Sequence, residues 1–237
     1  MNAARKASRR RPRRVLKIIV FVILGLLLLP FVVTPLLSFG HPVSTLMLMR
    51  WITGQRVERI WIPLAAMSPW LPAAVIGAED ARYCRHSGVD LAGIRDAIED
   101  AKTLGDLRGA STLSQQTAKN LFLWPGRSFV RKAIEAPLAL WLDLILGKRR
   151  VLEIYLNIAE WGPNGIFGVE AAARRAFRKP ARKLTRREAA LLAAALPNPI
   201  RRNPARPGPT LRRLAGIYQR RAASAGLTKC LALPRRR

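Results

Sequence analysis

An uninterrupted apolar run near the N-terminus is the feature that most constrains this chain. No charged residue occurs after Lys17 through residue 39, and a helix needs about 20 apolar residues to cross a bilayer. A cleaved signal peptide is the alternative, but its apolar core is about 7–15 residues long and ends in a small-residue cleavage site. No such site follows this run, so the sequence predicts an anchoring transmembrane helix over residues 15–39.

Basic residues on one side of this run predict its orientation. Lys and Arg dominate positions 5–14, which the positive-inside rule assigns to the cytoplasm. Residues 1–14 are then a cytoplasmic tail, and residues 40–237 form one domain on the outer side of the cytoplasmic membrane. The net charge of +28 implies an anionic partner. Because nucleic acid is not expected outside that membrane, we expect membrane lipids or an anionic substrate.

The exported part is predicted to be mainly α-helical. Apolar residues at helical spacing predict helices over 72–83, 90–103, 112–120, 129–146, 148–158, 168–177, 185–195 and 209–225. No alternating pattern indicates a sheet. The C-terminal part from Arg174 is strongly basic and has Glu188 as its only acid, which is typical of a solvated face near anionic lipid.

Tryptophans and cysteines leave alternatives open. Trp51, Trp61 and Trp70 follow the anchor, and they suit either the head-group layer or an ordinary core. Cys84 and Cys230 could form a disulfide in an oxidising compartment or remain unpaired. No cysteine and histidine spacing indicates a metal site.

A first candidate segment joins two carboxylates to an apolar helix. Glu79 and Asp80 directly follow the apolar residues 73–78, and His86 follows shortly after. Burial there would raise the pKa of a carboxylate toward the range of a general base. The alternative is a solvated helix end with His86 as a hydrogen-bonding loop residue.

A second segment starts a helix behind Gly109. Thr112 followed by Gln115 is typical of a capping box, and a helix start offers N–H groups to a phosphate. Gln116 and Lys119, three residues apart, share a helix face. A capped helix without a ligand is the alternative.

A third segment supplies a second carboxylate among cations. Arg131 and Glu135 are four residues apart and can pair on a helix, and Lys148 begins a further basic cluster, for which a solvated turn is the alternative. Together, two carboxylates, a helix start, several cations and an anchor favour displacement of a lipid diphosphate from a sugar.

These segments resemble glycosyltransferase family 51, in particular the monofunctional biosynthetic peptidoglycan transglycosylases. The resemblance runs from about residue 63 to 199. Its motifs are matched by Glu79-Asp80 with His86, Gly88 and Asp90, by 109–120, by Arg131-Lys132 with Glu135, and by 152–157, 164–172 and 184–192. It implies a lysozyme-like helical domain with a smaller membrane-associated lobe.

The resemblance also implies residue roles. Glu79 would be the general base that removes the proton from the GlcNAc 4-hydroxyl of lipid II. That oxygen attacks MurNAc C1 of the growing glycan strand with inversion, and undecaprenyl diphosphate leaves. Lys119, Arg131 and Lys148 would neutralise the diphosphate, with Glu135 organising these cations. The further substrate-binding residues would be Asp80, His86, Thr112, Ser114, Gln116 and Asn120.

Cofactors and partners follow from the same resemblance. No cofactor is certain, although a divalent cation, Mg²⁺ or Mn²⁺, is compatible with it. The expected partners are lipid II, the glycan strand, membrane lipids and other cell-wall synthesis or division proteins, but no nucleic acid. No serine is followed by a lysine three residues later, and the chain is short for a second domain, so we expect no transpeptidase activity.

Four residues depart from the family pattern or lie unusually within it. Tyr83 stands where phenylalanine is usual, Cys84 is unusual, Asp143 replaces a glutamate, and Pro137 lies soon after Glu135.

Two other functions are alternatives. A glycan-cleaving enzyme would also use two carboxylates, but it would not require the cations. A basic scaffold protein would not require the two glutamates.

Overall fold

The chain is mainly helical in a computed structural model that describes residues 2–100, 111–126, 128–224 and 226–231. Its α-helices are α1 (Asn2–Val33), α2 (Thr45–Ile52), α3 (Trp70–Glu79), α4 (Leu91–Asp100), α5 (Leu113–Phe122), α6 (Phe129–Ile158), α7 (Val169–Phe177), α8 (Arg186–Ala195) and α9 (Pro209–Ala222). The predicted mainly helical class is therefore confirmed. The end of the predicted helix 90–103 and the glycine that opens the second motif lie outside the described residues.

The N-terminal helix carries the predicted apolar segment. Arg14–Ser38, which includes the end of α1 and a 3-10 helix at Thr34–Ser38, has a mean hydropathy of 2.9 and is almost entirely exposed. It is long and apolar enough to cross a bilayer. Its C-terminal end is attached to α6, because the Trp141 indole donates to the carbonyl of Phe31 at 3.1 Å.

Helix α3 forms the centre of the larger apolar cluster. Its residues from Leu71 to Gly77 are all buried, and it packs against α8 and α9. A helix that is apolar on every side is stable only inside a core. It ends at Glu79, four residues before the prediction, because Asp80 leaves the helical region (φ −159°) and a 3-10 turn follows at Tyr83–Arg85. The first candidate segment thus lies where the core helix emerges.

Helices α5 and α6 pack along each other and form the second apolar cluster with α2. The α6 segment is two helices joined at Gly147, whose φ of +69° interrupts the helical geometry. Glycine adopts positive φ without a Cβ clash, so the predicted boundary between 129–146 and 148–158 is confirmed. Lys148 is the first residue beyond that break.

A small sheet, which the sequence analysis did not predict, joins the two halves of the domain. Its strands are β1 (Glu58–Arg59), β2 (Glu160–Gly162) and β3 (Ile166–Phe167), in the order β1-β3-β2. The β1-β3 pair is parallel and the β2-β3 pair antiparallel. Strands of two or three residues are too short to show alternation, which explains why no pattern indicated them.

The two cysteines are paired. Cys84 and Cys230 form a disulfide with their Cα atoms 5.4 Å apart, within the usual range for such a bond. The bond ties the C-terminal segment to the 3-10 turn that follows Asp80. The alternative of two free thiols is therefore not what the structure has.

The three tryptophans after the anchor lie in different environments. Trp51 on α2 is about half exposed, at 51%. Trp61 packs against the second apolar cluster and Trp70 against the first. Only Trp51, of these three, is placed where a head-group contact would be expected.

Candidate functional site

Glu79 is the last residue of α3, where this helix leaves the apolar core. Its carboxylate accepts a hydrogen bond from the Gln116 side-chain amide at 3.0 Å. Burial raises the pKa of Glu79, although the Gln116 hydrogen bond and the charges of Arg202 and Lys119 oppose that rise. A carboxylate with a raised pKa and a neutral hydrogen-bond donor is suited to accept a proton near neutral pH.

A tyrosine orients the amide that contacts this carboxylate. The buried Tyr155 hydroxyl donates to the side-chain oxygen of Gln116 at 2.9 Å, so the NH₂ group of Gln116 faces Glu79. Tyr155 was not among the predicted site residues. It lies in the matched segment 152–157, and its hydrogen bond to Gln116 across the α5-α6 interface gives it a role that the resemblance did not assign.

Asp80 holds the start of α5 rather than facing solvent. Its carboxylate accepts the backbone N–H of Leu113 at 2.9 Å and lies 3.0 Å from the His86 ring. The predicted capping box of Thr112 and Gln115 is present. A protein carboxylate therefore occupies the positive end of α5, and the helix start is not open to the phosphate considered in the sequence analysis.

Two residues expected to shape the donor site are buried. The Thr112 hydroxyl donates to the carbonyl of Gly88 at 2.5 Å, and the Ser114 hydroxyl donates to Asp143 at 2.7 Å. Thr112 is 2% exposed and Ser114 is 0% exposed. In this conformation both side chains position α5; Ser114 presents no surface to a sugar, and Thr112 presents only the little that lines the cavity beside Glu79.

Lys148 is engaged in the same internal network. Its ammonium lies 2.5 Å from the Asp143 carboxylate, 3.4 Å from the His86 ring and 4.3 Å from the centre of the Tyr83 ring. Asp143 thus balances the charge that was expected to face the diphosphate. The expected contact between Lys148 and the diphosphate stays a prediction, and the structure gives this lysine a positioning role.

A second carboxylate lies among cations at the start of α6. Glu135 is 3% exposed; one of its oxygens pairs with Arg131 and the other with Lys132 at 2.8 Å. The Lys132 ammonium also donates to the Ser111 hydroxyl at 2.7 Å. Burial, together with the charges of Arg131 and Lys119, lowers the pKa of Lys132 to about 8. Lys132 stood in the recognised motif but was not a predicted site residue.

Lys119 is on α5, one turn after Gln116, and lies between the carboxylates of Glu79 and Glu135. Burial and the neighbouring Arg131 charge lower its pKa, whereas Glu79 raises it. Among the described residues, no carboxylate lies within ion-pair distance of its ammonium. This positive charge is consequently available to an anion. Its neighbour Asn120 is half-buried, and the backbone carbonyl of Asn120 accepts from the Thr45 hydroxyl at 3.3 Å.

An open cavity of about 200 Å³ adjoins Glu79. Arg82 and Asp90 form an ion pair at 2.8 Å on its wall, and Ser111 and Thr112 line the other side. The cavity connects the candidate base with the serine that Lys132 contacts. Glu79 therefore faces a space that a substrate hydroxyl can enter.

The described residues in this region do not form a metal site of three or more ligands. Within the described ranges, no group of three or more His, Cys, Asp or Glu side chains is arranged around a common point. Both Glu135 oxygens are held by cations, so this carboxylate is not free to coordinate Mg²⁺ or Mn²⁺. The described cations around these two glutamates include Lys119, Arg131 and Lys132.

Comparison with known proteins identifies close relatives over nearly the whole chain. A family model described as Transglycosylase matches residues 46–223. A biosynthetic peptidoglycan transglycosylase of Nitrobacter hamburgensis is 57% identical, covering 92% of this chain and 96% of the relative. Proteins with the same description from Rhodopseudomonas palustris strain TIE-1 and Rhizobium etli are 55% and 53% identical, covering 94% and 98% of this chain and 95% and 99% of the relatives.

Proposed function

Since the chain belongs to the transglycosylase family, a family of glycosyltransferases, we propose that it polymerises lipid II into β-1,4-linked glycan strands. The acceptor is the GlcNAc 4-hydroxyl of lipid II, and the donor is the MurNAc end of the growing strand. The new bond forms with inversion at MurNAc C1, and undecaprenyl diphosphate is released. The peptide cross-links are made by other enzymes, because no Ser–x–x–Lys sequence is present.

The proton of the acceptor hydroxyl passes to Glu79. Burial raises the pKa of this carboxylate, which strengthens it as a base. The amide of Gln116 holds one oxygen at 3.0 Å, so the other is free to face the cavity beside it. Removing the proton as the hydroxyl attacks lowers the cost of developing positive charge on that oxygen.

The leaving diphosphate is stabilised by the cations at the start of α6. As the bond between MurNAc C1 and the diphosphate breaks, negative charge accumulates on the phosphate oxygens. Lys119 carries an unbalanced charge, and Arg131 and Lys132 share Glu135 between them. Fixed cations in a partly buried site stabilise such charge more strongly than cations in water. Glu135 keeps Arg131 and Lys132 close together despite their mutual repulsion.

The anchor brings this site to its lipid substrate. The apolar Arg14–Ser38 segment and the exposed Trp51 favour a single-pass protein in the inner membrane. The basic N-terminal tail favours a cytoplasmic N-terminus and a periplasmic domain. In that orientation the site meets lipid II after its transfer across the membrane, beside other cell-wall synthesis and division proteins.

The observation that carries the proposal is that two differently held glutamates lie around a group of cations contributed by α5 and α6. A glycan-cleaving enzyme would not need the unbalanced Lys119, and a scaffold would not need to bury Glu79. Family membership supports the same choice.

The test is polymerisation of labelled lipid II by the full-length chain in detergent, with Glu79→Gln alongside. Wild type should yield a ladder of muramidase-sensitive polymer on a gel, and the variant should not. Absence of polymer from folded wild type, with or without added Mg²⁺ or Mn²⁺, would refute the proposed activity. Polymer from both proteins would preserve the reaction and remove Glu79 as its base.

A further inference from the structure

A second, larger cleft lies beyond the catalytic residues, between α7, the small sheet and the segment after α8. Its volume is about 680 Å³, within the range of about 300–1,000 Å³ that is typical of ligand pockets. It is rimmed by the arginines Arg174, Arg175, Arg178, Arg202 and Arg206. We call it the arginine cleft.

The charge of the arginine cleft is largely unbalanced. Arg174 pairs with Glu170 at 2.7 Å, and the cleft's own acid, Glu58, pairs with Arg56 at 3.4 Å outside it. Within the part of the chain that the structure describes, none of the other four arginines has a carboxylate within 4 Å. Several like charges around one cavity repel each other, and an anionic ligand would relieve that repulsion.

The arginine cleft also has an accessible apolar part. Pro199, Ile200 and Pro204 contribute it, and Ile200 is 54% exposed. In the loop that carries Arg202 and Arg206, the Asn203 side chain accepts the backbone N–H of Ala205 at 2.9 Å. Apolar side chains beside guanidinium groups suit a ligand that combines small apolar groups with several anionic ends.

Arg202 connects this cleft to the catalytic base. Its guanidinium donates to the carbonyl of Ala194 at 2.7 Å, which fixes its position at the end of α8. From there its positive charge acts on the Glu79 carboxylate. Because α8 packs against α3, the helix that ends at Glu79, one molecule can place its sugar at Glu79 and another part in the arginine cleft.

We propose that the arginine cleft binds the carboxylate-bearing peptide attached to the sugar substrate. The inference rests on the proposed function, which supplies a disaccharide carrying a short peptide of small residues with free carboxylates. Guanidinium groups bind carboxylates through paired, planar hydrogen bonds. A volume of about 680 Å³ accommodates several residues of such a peptide rather than a single anion.

A lipid head group is a less suitable occupant. None of the residues that line the cleft comes from α1 or α2, the helices that carry the apolar anchor and the exposed Trp51. A head group would also leave the apolar part of the cleft unfilled. Binding of the peptide would instead hold the acceptor in register with Glu79, lowering the KM for substrates that carry it.

The test compares two triple variants of the full-length chain in detergent. The cleft variant is R175Q/R178Q/R206Q, and the control is R182Q/R187Q/R213Q, which removes the same charge from exposed positions outside the cleft. The probes are a soluble disaccharide-pentapeptide, the same compound with its carboxylates amidated, and glycerol phosphate as a head-group substitute. Binding is measured by calorimetry, and the KM and kcat for lipid II polymerisation are measured separately.

We expect the cleft variant to bind the disaccharide-pentapeptide about tenfold more weakly than wild type or the control, and all three proteins to bind the amidated compound equally weakly. The KM for lipid II should rise by about tenfold in the cleft variant, with kcat within about twofold. Equal binding of acidic and amidated compounds by wild type would overturn the proposal, as would loss of glycerol phosphate binding alone. Either result leaves polymerisation intact, whereas absence of polymer from wild type is a failure of the proposed function.

Discussion

Glu79 and Glu135 are both withdrawn from solvent, yet the protein surrounds them in opposite ways. Glu79 has a neutral amide as its hydrogen-bond partner, and burial raises its pKa. Glu135 is held by Arg131 and Lys132, one at each oxygen. The first carboxylate meets a neutral donor beside an open cavity, whereas the second is held between two cations.

Residue type alone therefore does not assign a catalytic role. Two carboxylates whose surroundings push their proton affinities apart take different parts in a reaction. Here α5 separates the two environments: Gln116 faces one glutamate, and Lys119, one turn later, faces the cations around the other. The comparison leads to variants that should separate activity from stability.

The largest expected effect is on activity, in Glu79→Gln. Loss of the base should reduce kcat by about 10³-fold. Because burial disfavours the ionised carboxylate, removing its charge should leave Tm unchanged or raise it by about 1–4 °C. Polymerisation assays and thermal unfolding at pH 7.5 measure both quantities. A clear fall in Tm would show that the positive charges near Glu79 stabilise the fold through its carboxylate. The contrast with Glu135 would then not hold.

Glu135→Gln should instead destabilise the fold. The variant leaves Arg131, which is 8% exposed, without its anionic partner, and removing one member of a buried ion pair costs about 3–5 kcal/mol. We expect a cost of about 2–4 kcal/mol, because Lys132 is partly exposed, together with a loss of about 10²-fold in activity. Chemical denaturation of the full chain measures the first quantity.

A matched control for Glu135→Gln is Glu99→Gln, which removes one negative charge from an exposed position on α4. It should change neither stability nor activity measurably. Equal stability of Glu135→Gln and Glu99→Gln would mean that the cations do not depend on Glu135. The contrast between the two glutamates would then concern pKa alone.

The pH dependence of kcat/KM should report both environments. Activity should fall on the acidic side as Glu79 becomes protonated, at a pH above that of an ordinary glutamate because its pKa is raised. It should fall on the alkaline side as Lys132 loses its proton, with a pKa of about 8, leaving about a tenth of the activity at pH 9. The profile is therefore bell-shaped.

Lys132→Arg tests the assignment of the alkaline limb. Arginine stays protonated throughout this range, so activity should persist to pH 9 while the acidic limb remains. Lys183→Arg, at an exposed position, serves as the control and should keep both limbs. An alkaline limb that survives in Lys132→Arg would assign it to another group.

Much of the fold was predictable because its signals are local. The long apolar helix at the N-terminus, the Thr112–Gln115 capping box and the break at Gly147 each depend on a few consecutive residues, and each was confirmed. That the apolar helix anchors the chain in a membrane stays a prediction. The small sheet escaped prediction because its strands are too short for a periodic pattern. The disulfide stayed open because sequence cannot give the distance between residues 146 positions apart.

The candidate site was predictable in its residues but less so in their contacts. Resemblance identified Glu79, Lys119, Arg131 and Glu135, which the fold brings around α5. It also placed Lys148 on the diphosphate, whereas the structure pairs this lysine with Asp143 at 2.5 Å. Which cation is free and which is balanced depends on packing between α5 and α6, and no local pattern encodes that packing.

The smallest expected effect concerns Tyr155, the residue whose role was visible only in the folded structure. Tyr155→Phe removes the hydroxyl that donates to Gln116 and leaves the aromatic packing in place. The Gln116 amide can then turn, which places its oxygen rather than its NH₂ group toward Glu79. The pKa of Glu79 should rise further, since the hydrogen bond from Gln116 lowers it.

We therefore expect Tyr155→Phe to shift the acidic limb of the pH profile upward and to reduce kcat at pH 7 by about 3- to 10-fold, within the range for losing one hydrogen bond of about 0.5–1.5 kcal/mol. Tyr218→Phe, on α9 outside the site, is the control and should leave the profile unchanged. A lower kcat without a shifted limb would mean that Tyr155 only supports packing. A shift would show that the surroundings that set the proton affinity of Glu79 extend to the helix after Gly147, whereas the cations around Glu135 belong to the helix before it.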